Sequence, residues 1–537
     1  MCGIFALLNN TMIVPQEVIK KAFNNLKNRG PDKSSINTLK VDYKNSHPTI
    51  TLGFHRLSIN DLSDSGMQPF INELSHIYVI CNGEIYNSDK LKKEFNLQTS
   101  SDSDCEVILH LYEKFGIHKT VKLLHGVFSF IVYDFRFNNM YAVVDRISVR
   151  PLFYQIDSDM NCIFASEAKG MEGIKIGPIN QLKAGHILEI KNNETYGFTS
   201  YYSIPKQNLN TKFSVEGLRD KLIDAVKMRL MSDRPIGCLL SGGLDSSLIA
   251  SILSKLSDKP INTFTIGFED STDLNYAKDV AKFIGSNHHE IIIKYKDAIE
   301  KIPEVIKHIE TYDITTIRAS VGMYMAAEYI KNNFEDVVIF SGEGADEILG
   351  GYLYFHNFPN IDDFDRETRR ITKDLQYFDV LRADRCTAAH GLELRVPFLD
   401  QDFIKYCFEI EPIYRLPVNG MEKFHLRQAF QGYIPENILY RRKEALSDGV
   451  GSIEKPWFQH IQEWIREYFS KKFTQEEFDN AQQIAKLCKI NHYMSEESLF
   501  YYKTFRDIYN FIPIPYYWMP KWQDVNDPSA RILKLNL

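Results

Sequence analysis

Three short stretches of this 537-residue chain carry side chains whose types and spacing could do chemistry. The first is Cys2. Removal of Met1 would leave it with a thiol and a free α-amine. An α-amine titrates near pH ~8 and a thiol near ~8.5, so one residue can supply both nucleophile and general base. The second is Ser241-Gly242-Gly243-Leu244-Asp245-Ser246-Ser247, which follows the apolar run Ile236–Leu240 and opens a helix. Glycines admit a phosphate close to the backbone, hydroxyls and N–H groups donate, and the helix N-terminus favours an anion. No Gly-Lys-Ser/Thr follows, so this is not a Walker A loop. The third, Ser341-Gly342-Glu343-Gly344-Ala345-Asp346-Glu347, follows another apolar run. A carboxylate beside a phosphate is repulsive unless a cation bridges them, so Mg²⁺ held by one carboxylate from each turn is implied.

Each stretch also has a plainer reading. Cys2 alone is a small buried side chain, the serine-glycine turn is a helix cap, and the acidic turn is a solvated loop. The third is the weakest of these, because Phe340 and the glycines make that turn tight.

The elements that position these residues fall into two patterns. Up to about residue 200 the chain reads as strand-rich. A helix over Pro15–Asn28 is marked by Val18, Ile19, Ala22, Phe23 and Leu26 and stopped by Gly30-Pro31. Strands are expected at Thr49–Ile59, Ile77–Cys81, Phe128–Phe135 and Met140–Asp145, the last two joined at Asn138-Asn139. From about Phe213, short strands (Ile236–Leu240, Thr263–Gly267, Val337–Phe340) alternate with helices such as Leu244–Leu256 and Leu274–Ile284. That alternation predicts parallel βαβ units in a doubly wound sheet, with ligands at its carboxyl edge. The boundary is expected near Tyr202 to Asn210, dividing the chain into domains at 2–205 and 213–537.

Composition sets limits. A chain this long exceeds one ordinary core, and 44% hydrophobic with 25% charged residues is usual for a water-soluble globular protein. A net charge of -7 gives no reason to expect nucleic acid or an anionic membrane as partner. No apolar run is long enough to cross a bilayer, and the apolar start is too short, and lacks the basic residue, for a secretory leader. Eight scattered cysteines without C-x-x-C spacing predict reduced thiols and a cytoplasmic location rather than structural zinc.

Further segments of the first half change the weight given to Cys2. Arg29-Gly30-Pro31-Asp32 reads as a helix stop, Gly53–Ile59 as a strand with a solvated Arg56, Asn82-Gly83 as a hairpin turn, and Ser103-Asp104 as an N-cap for the helix through Val107, Ile108 and Leu111. Together with Cys2-Gly3-Ile4, and with Asn82-Gly83-Glu84-Ile85-Tyr86-Asn87, they resemble the class II glutamine amidotransferase domain. That resemblance spans nearly all of residues 2–200 and implies an N-terminal-nucleophile hydrolase fold, an αββα sandwich. It further implies that Cys2 forms a glutamyl thioester, that the Asn82 amide and the Gly83 N–H hold the oxyanion, that Arg56 pairs with the α-carboxylate of glutamine, and that Asp104 holds its α-ammonium, with Asn87 as a further contact. Two departures touch loop geometry alone: Ser148 stands where the family usually has glycine, and Lys183-Ala184-Gly185 where a proline-glycine pair is common.

From about residue 215 the chain resembles the asparagine synthetase branch of the ATP pyrophosphatase family. The matching segments are Ser241–Ser247, Glu310–Arg318, Ser341–Glu347, Leu381–Arg385, Glu393–Asp400, Arg442-Lys443-Glu444, Tyr517–Trp522 and Asp527–Arg531. The resemblance implies ATP as substrate and aspartate activated as β-aspartyl-AMP. Ser241, Gly243 and Ser246, with Ser341 and Gly342, would cradle the phosphates, and Asp245 and Asp346 would hold Mg²⁺. Lys443 would neutralise the separating phosphates, Glu343 would take a proton from attacking ammonia, and Thr315, Thr316 and Arg318 would be candidates for substrate contact. Leu239 and Ile266 are candidates for the adenine pocket, though ordinary core packing explains them equally well. A homodimer is a family-level expectation, and residues 447–515 give no functional reading.

Other readings stay open on sequence. Amidotransferases that act on sugar phosphates lack Ser-Gly-Gly-Leu-Asp-Ser, and β-lactam-forming relatives typically lack the N-terminal cysteine. A synthetase acting on another acceptor carboxylate remains, because phosphate motifs do not define the acceptor pocket. A catalytically silent glutamine- or nucleotide-binding protein would be expected to have lost Cys2, Asp245, Glu343, Asp346 or Lys443, and all five are present.

Overall fold

The structure, a computed structural model, describes residues 1–41, 48–443, 451, 454–469, 474–487, 495–510, 518–523, 525 and 527–533. Glu444 and Tyr517, and most of 444–453, 470–473, 488–494 and 511–517, lie outside the described residues. The chain divides into two compact units. One holds Met1–Ser203 with Met228–Pro235 and Ala388–Glu393, and the other holds Ile204–Lys227, Ile236–Thr387 and Leu394–Leu537. Among the described residues no helix is long and apolar enough to cross a membrane.

The first unit begins with β1 (Gly3–Asn9), α1 (Gln16–Asn24), β2 (Lys33–Lys40), β3 (Thr49–Arg56), β4 (Phe70–Asn72) and β5 (Ile77–Ile85). Helices α2 (Ser88–Phe95), α3 (Val107–Phe115) and α4 (Ile117–Leu123) follow, then β6 (Gly126–Asp134), β7 (Asn139–Val144), β8 (Phe153–Ile156), β9 (Cys162–Ala165), β10 (Asn180–Gln181), β11 (His186–Lys191) and β12 (Thr195–Ser200). They form two six-stranded sheets, ordered β10-β8-β9-β1-β3-β2 and β12-β11-β7-β6-β5-β4. Strand alternation explains the layering. Ile4, Ala6 and Leu8 of β1 and Ile50, Leu52 and Phe54 of β3 meet Ile80, Ile131, Ala142 and Leu188 between the sheets. The opposite face of the second sheet, through Val79, Cys81, Phe128 and Phe130, packs on Val107, Ile108, Leu111 and Val121 of the helices. Helix α1 covers the other sheet, its Phe23 ring 6.0 Å from Phe5 and stacked at 3.8 Å on His55. The result is the αββα sandwich expected.

Several local expectations change. Asn82 and Gly83 are not a turn: they lie inside β5, opposite Ser129 and Phe128 of β6. Helix α1 ends at Asn24, and a separate 3₁₀ turn at Lys27–Arg29 completes the stretch. The side chain of Ser103 makes no cap bond, and Asp104 opens a 3₁₀ turn, Asp104–Glu106, before α3. Ser148 takes a φ of 58°, the left-handed region where glycine costs least, which accounts for the glycine usual there.

In the second unit, α5 (Val215–Met228) precedes β13 (Ile236–Leu239), α6 (Leu244–Leu256), β14 (Asn262–Phe268), α7 (Thr272–Ile284), β15 (Asn287–Ile293), α8 (Tyr295–Ile309), α9 (Ile314–Asn333), β16 (Val338–Phe340) and α10 (Ala345–Leu349). Further on come α11 (Ile361–Asp374), α12 (Asp379–Ala388) and β17 (Glu393–Arg395). The sheet order is β15-β14-β13-β16-β17, with β13 parallel to both β14 and β16. The chain runs from β13 to one side through β14 and β15 and returns to the other side at β16. That reversal puts the turns after β13 and β16 side by side, at the position where such sheets bind ligands.

Candidate active sites

In the first unit, β1 presents Cys2 at the edge of the sandwich. Its backbone N–H donates to Asn82 Oδ1 at 2.8 Å, and the Leu57 N–H points at its Sγ from 3.4 Å. Met1 before it is buried, its ammonium 3.5 Å from Glu393 Oε2. Burial raises the Cys2 thiol above its ordinary range, while the charge of the chain N-terminus and the Leu57 N–H pull it back. Asn82 is fully buried, and its Nδ2 has no hydrogen-bond partner among the described residues. A buried amide donor without a partner costs about 1–3 kcal/mol, a cost that an acceptor oxygen placed there would offset. Gly83 leaves no room for a side chain: a Cβ would stand 2.3 Å from Val127 O.

Around this centre, Asp104 is buried, accepting from the Ile85 N–H at 2.6 Å and from Asn60 Nδ2 at 3.3 Å. Burial raises its carboxyl despite these donors. The same Asn60 nitrogen donates to Glu84 Oε2 at 2.5 Å. Two buried carboxylates converging on one amide repel each other, and a cationic group between them would relieve this. Arg56 is buried with Nη1 donating to Ser63 O at 2.5 Å and Nη2 to Asp61 O. A guanidinium has five N–H donors, so these two bonds fix the fork and leave donors over. Asn87 is spent on the backbone: Nδ2 donates to Leu123 O and Oδ1 accepts from the His125 N–H, both at 2.9 Å. With both ends of its amide engaged, it holds the 123–125 segment.

In the second unit a cavity of about 220 Å³ opens where the two turns meet, lined by Ser241, Gly243, Asp245, Ser246, Ser341, Gly342, Glu343 and Asp346. The loops interlock tightly. A Cβ on Gly342 would fall 2.7 Å from the Ser246 N–H nitrogen, and one on Gly242 2.5 Å from that of Ala277. Ser246 Oγ accepts from the Ser241 N–H at 3.1 Å and lies 3.0 Å from Ser241 Oγ, folding the first loop into a cradle. Leu239 and Ile266 both line the cavity, and each is half-buried in a strand otherwise mostly buried. That pattern favours a ligand-facing role over core packing.

Asp245 and Asp346 come together on one ammonium, Lys423 Nζ at 2.6 and 2.5 Å, and Lys443 Nζ adds a 2.6 Å bond to Asp346. Burial opposes ionisation of Asp346, but Lys423 and then Lys443 outweigh it and hold the carboxyl well below its usual range. The same pairing holds Lys443 above its ordinary range against the effect of burial. Asp245 Oδ1 is buried without a hydrogen-bond partner among the described residues. Glu343 accepts from Arg382 Nη2 at 2.7 Å. Burial raises Glu343, Arg382 lowers it and Asp379 raises it again.

Of the three candidates for substrate contact, Thr315 alone lines the cavity. Thr316 turns its hydroxyl onto Asp313 Oδ2 at 2.6 Å, completing the cap of α9. Arg318 is buried and bound through two forks to Glu497 and Asp527. Neither lines the cavity, and both bond to the protein's own carboxylates.

Sequence comparison assigns a family to each half of the chain. The chain matches the family described as asparagine synthase over residues 217–365 and 357–509, and a glutamine amidotransferase domain over 1–176. It is 39% identical to the glutamine-hydrolyzing asparagine synthetase of Gallus gallus over 568 residues, covering 99% of each chain. The glutamine-hydrolyzing asparagine synthetases of Bos taurus and Homo sapiens are 40% and 39% identical over 569 residues, covering 99% of this chain and 98% of theirs. The chain belongs to the asparagine synthase family.

Within this asparagine synthase framework, three features escaped the motif reading. Lys423 stands outside the recognised motifs, and its access to both carboxylates depends on Gly351, whose Cβ would lie 2.0 Å from Lys423 Cε. Glu84 sits inside a recognised segment but was given no role. A third group, Tyr352 with Asp379 and Arg382, lines the cavity beside Glu343: the Tyr352 hydroxyl lies 2.6 Å from Glu347 and 2.8 Å from Asp379.

Proposed function

We propose that this member of the asparagine synthase family converts aspartate to asparagine, drawing nitrogen from glutamine and energy from ATP. The observation that carries the reading is the convergence of Asp245 and Asp346 on one cavity beside Glu343, in a chain whose Cys2 N–H donates to Asn82 Oδ1 while Asn82 Nδ2 has no partner among the described residues.

With Met1 removed, the α-amine of Cys2 occupies the place of the present N–H, 2.8 Å from Asn82 Oδ1. That amine takes the thiol proton as sulfur attacks the glutamine carboxamide. Asn82 Nδ2 and the Gly83 N–H receive the developing oxyanion, a role in which each such donor is worth about 3–4 kcal/mol. Ammonia leaves, and water hydrolyses the glutamyl thioester to glutamate. Arg56 offers its remaining N–H donors to the substrate carboxylate, and Asp104 with Glu84 receives the α-ammonium.

Ammonia does not displace oxide from a carboxylate, so the aspartate β-carboxylate first attacks the α-phosphorus of ATP and pyrophosphate leaves. Ser241, Gly243 and Ser246 cradle the departing phosphates, Ser341 and Gly342 complete the loop, and Leu239 and Ile266 flank the base. Asp245 and Asp346 would hold a magnesium ion: both are carboxylates, the hard oxygen donors it favours, and Asp245 Oδ1 has no hydrogen-bond partner among the described residues. When bound, that ion neutralises phosphate charge. Lys443 and Lys423 turn from the carboxylates to the phosphates. Ammonia then attacks the acyl carbon of β-aspartyl-AMP, Glu343 takes the proton from nitrogen, and AMP leaves as the C–N bond forms.

The described cysteines are unpaired thiols, which fits a reducing cytoplasm, and a homodimer acting on small molecules alone completes the proposal. Mass analysis after incubation with ATP, Mg²⁺, aspartate and ¹⁵N-amide glutamine tests it. The expected products are side-chain-labelled asparagine, glutamate, AMP and pyrophosphate. No AMP from folded, Cys2-initiated protein would overturn the synthetase reading.

A further inference from the structure

The last described residues build a wall of the synthetase cavity. Trp518, Pro528, Ala530 and Leu533 line it, facing the same space as Thr315. Its Trp518 ring packs against Tyr352 and Tyr354, Lys521 Nζ pairs with Glu367 Oε2 of α11 at 3.1 Å, and further bonds run to the first turns of α9. Asp313 Oδ1 accepts from the Trp518 N–H at 3.2 Å, while Oδ2 takes the Thr316 N–H at 2.7 Å. One turn on, Arg318 grips Asp527 at 2.8 and 2.7 Å and Glu497 at 2.8 and 2.6 Å. Gln462 Nε2 spans the same two carboxylates at 3.2 and 3.3 Å. Asp527 Oδ1 also accepts from the Ser529 N–H at 2.9 Å, setting the turn that carries Ala530 to the cavity.

A buried arginine with two acids is a poor device for stability alone, since apolar packing often does as well. What it supplies is a fixed register between elements far apart in sequence. We propose that Arg318 and Asp527 form a clasp that seats the C-terminal segment as a wall keeping water from the activated aspartate. Arg318 is then a positioning residue and not a substrate contact. The inference rests on the synthetase reading above. The acyl carbon of β-aspartyl-AMP has two competing nucleophiles. Ammonia attack breaks the acyl C–O bond and gives asparagine and AMP. Water attack breaks the same bond, returns aspartate and AMP, releases a proton to solvent, and wastes one ATP. Excluding water from a reactive intermediate is a recognised function of site closure.

The test measures pyrophosphate released per asparagine formed by full-length enzyme, with ammonium chloride replacing glutamine, so that the first site is not used. Asp527→Ala loosens the clasp, and Trp518→Ala opens the wall while leaving the clasp intact. Both variants are expected to release about threefold or more pyrophosphate per asparagine than the parent, with glutaminase activity unchanged. Asp527→Asn, which retains one acceptor, is expected to fall between. Pyrophosphate and asparagine declining together at a constant ratio, in both alanine variants, would overturn the clasp and leave the synthetase reading intact. A parent enzyme that makes no pyrophosphate would sink that reading and the clasp with it.

Discussion

Asn82 holds the nitrogen of Cys2 at 2.8 Å through its side-chain oxygen, and the other end of the same buried amide has no partner among the described residues. One side chain therefore orients the nucleophile and keeps a donor in reserve. Asn82→Ala removes both. It is expected to lower glutamine-dependent turnover by roughly 10²–10³ and to leave ammonia-dependent asparagine formation within about twofold. Cys2→Ala should abolish the former and spare the latter in the same way. Parallel assays with glutamine and with ammonium chloride check this, and loss of both activities in folded Asn82→Ala would contradict the role given to it.

The two lysines on the acidic pair differ in a way that can be measured. Lys423 is almost wholly buried and touches both Asp245 and Asp346, whereas Lys443 is a fifth exposed and bonds closely to Asp346 alone. Lys423→Met leaves two carboxylates with one ammonium between them. Breaking a buried pair costs about 3–5 kcal/mol, and the lower end is expected because Lys443 stays. Any ligand that supplies cationic charge to the pair should restore more stability to the variant than to the parent. Thermal melting with and without Mg²⁺ and ATP reads this directly. An equal shift in both proteins would show that the ammonium of Lys423 does not occupy the metal's place.

How much of this was legible beforehand depends on how local the signal is. Ser241–Ser247 and Ser341–Glu347 each combine a strand end, glycines and carboxylates within seven residues, so the chemistry is written in one place. The parallel sheet also follows from the alternation of strands and helices, whereas the αββα layering comes with the family resemblance and not with periodicity. Lys423, by contrast, becomes part of the site through a fold that brings a distant loop to both carboxylates, and no spacing rule points to it. Asn87, Thr316 and Arg318 show the complementary problem. A motif marks a side chain as one that matters without saying whether its partner is a ligand or the protein's own backbone and acids. Asn82-Gly83 looked like a turn because that pair favours one, yet the close approach of β6 is a second reason for glycine, and tertiary context decided between them.

Glu343 separates the two half-reactions at the second site. Its carboxylate faces the cavity and rests on Arg382. Glu343→Gln preserves the shape and an acceptor oxygen but cannot take a proton. Pyrophosphate release from ATP and aspartate should stay within about tenfold, while asparagine formation falls by ~10² or more. Because burial raises this carboxyl above its ordinary range, the base form fills in at higher pH than an exposed glutamate would. At fixed neutral ammonia, asparagine formation should therefore rise with pH through that shifted range in the parent and stay flat in the variant.

His55 predicts a pH dependence of folding in the first unit. It sits on β3 opposite Gly3, stacked on Phe23, with Nδ1 2.7 Å from Ser34 Oγ and Nε2 3.0 Å from Phe23 O. The neutral ring satisfies both contacts: Nε2–H donates to the carbonyl and Nδ1 accepts from the hydroxyl. A second ring proton would put a cation inside a packed sheet, near the like charge of Lys27. Burial accordingly lowers the pKa from 6.5 to about 4. Between those values the unfolded chain binds a proton that the folded chain does not, so stability is full above pH ~6.5 and falls as pH drops toward ~4. The span corresponds to roughly 3 kcal/mol. His55→Gln can still donate to Phe23 O and accept from Ser34, so it should lose some packing at pH 7.5 but flatten the curve across that window. Urea unfolding of both proteins at pH 7.5, 6 and 5 would measure the difference. Parallel losses in parent and variant would assign the acid sensitivity to other groups, whereas a smaller loss in the variant would place it at this ring.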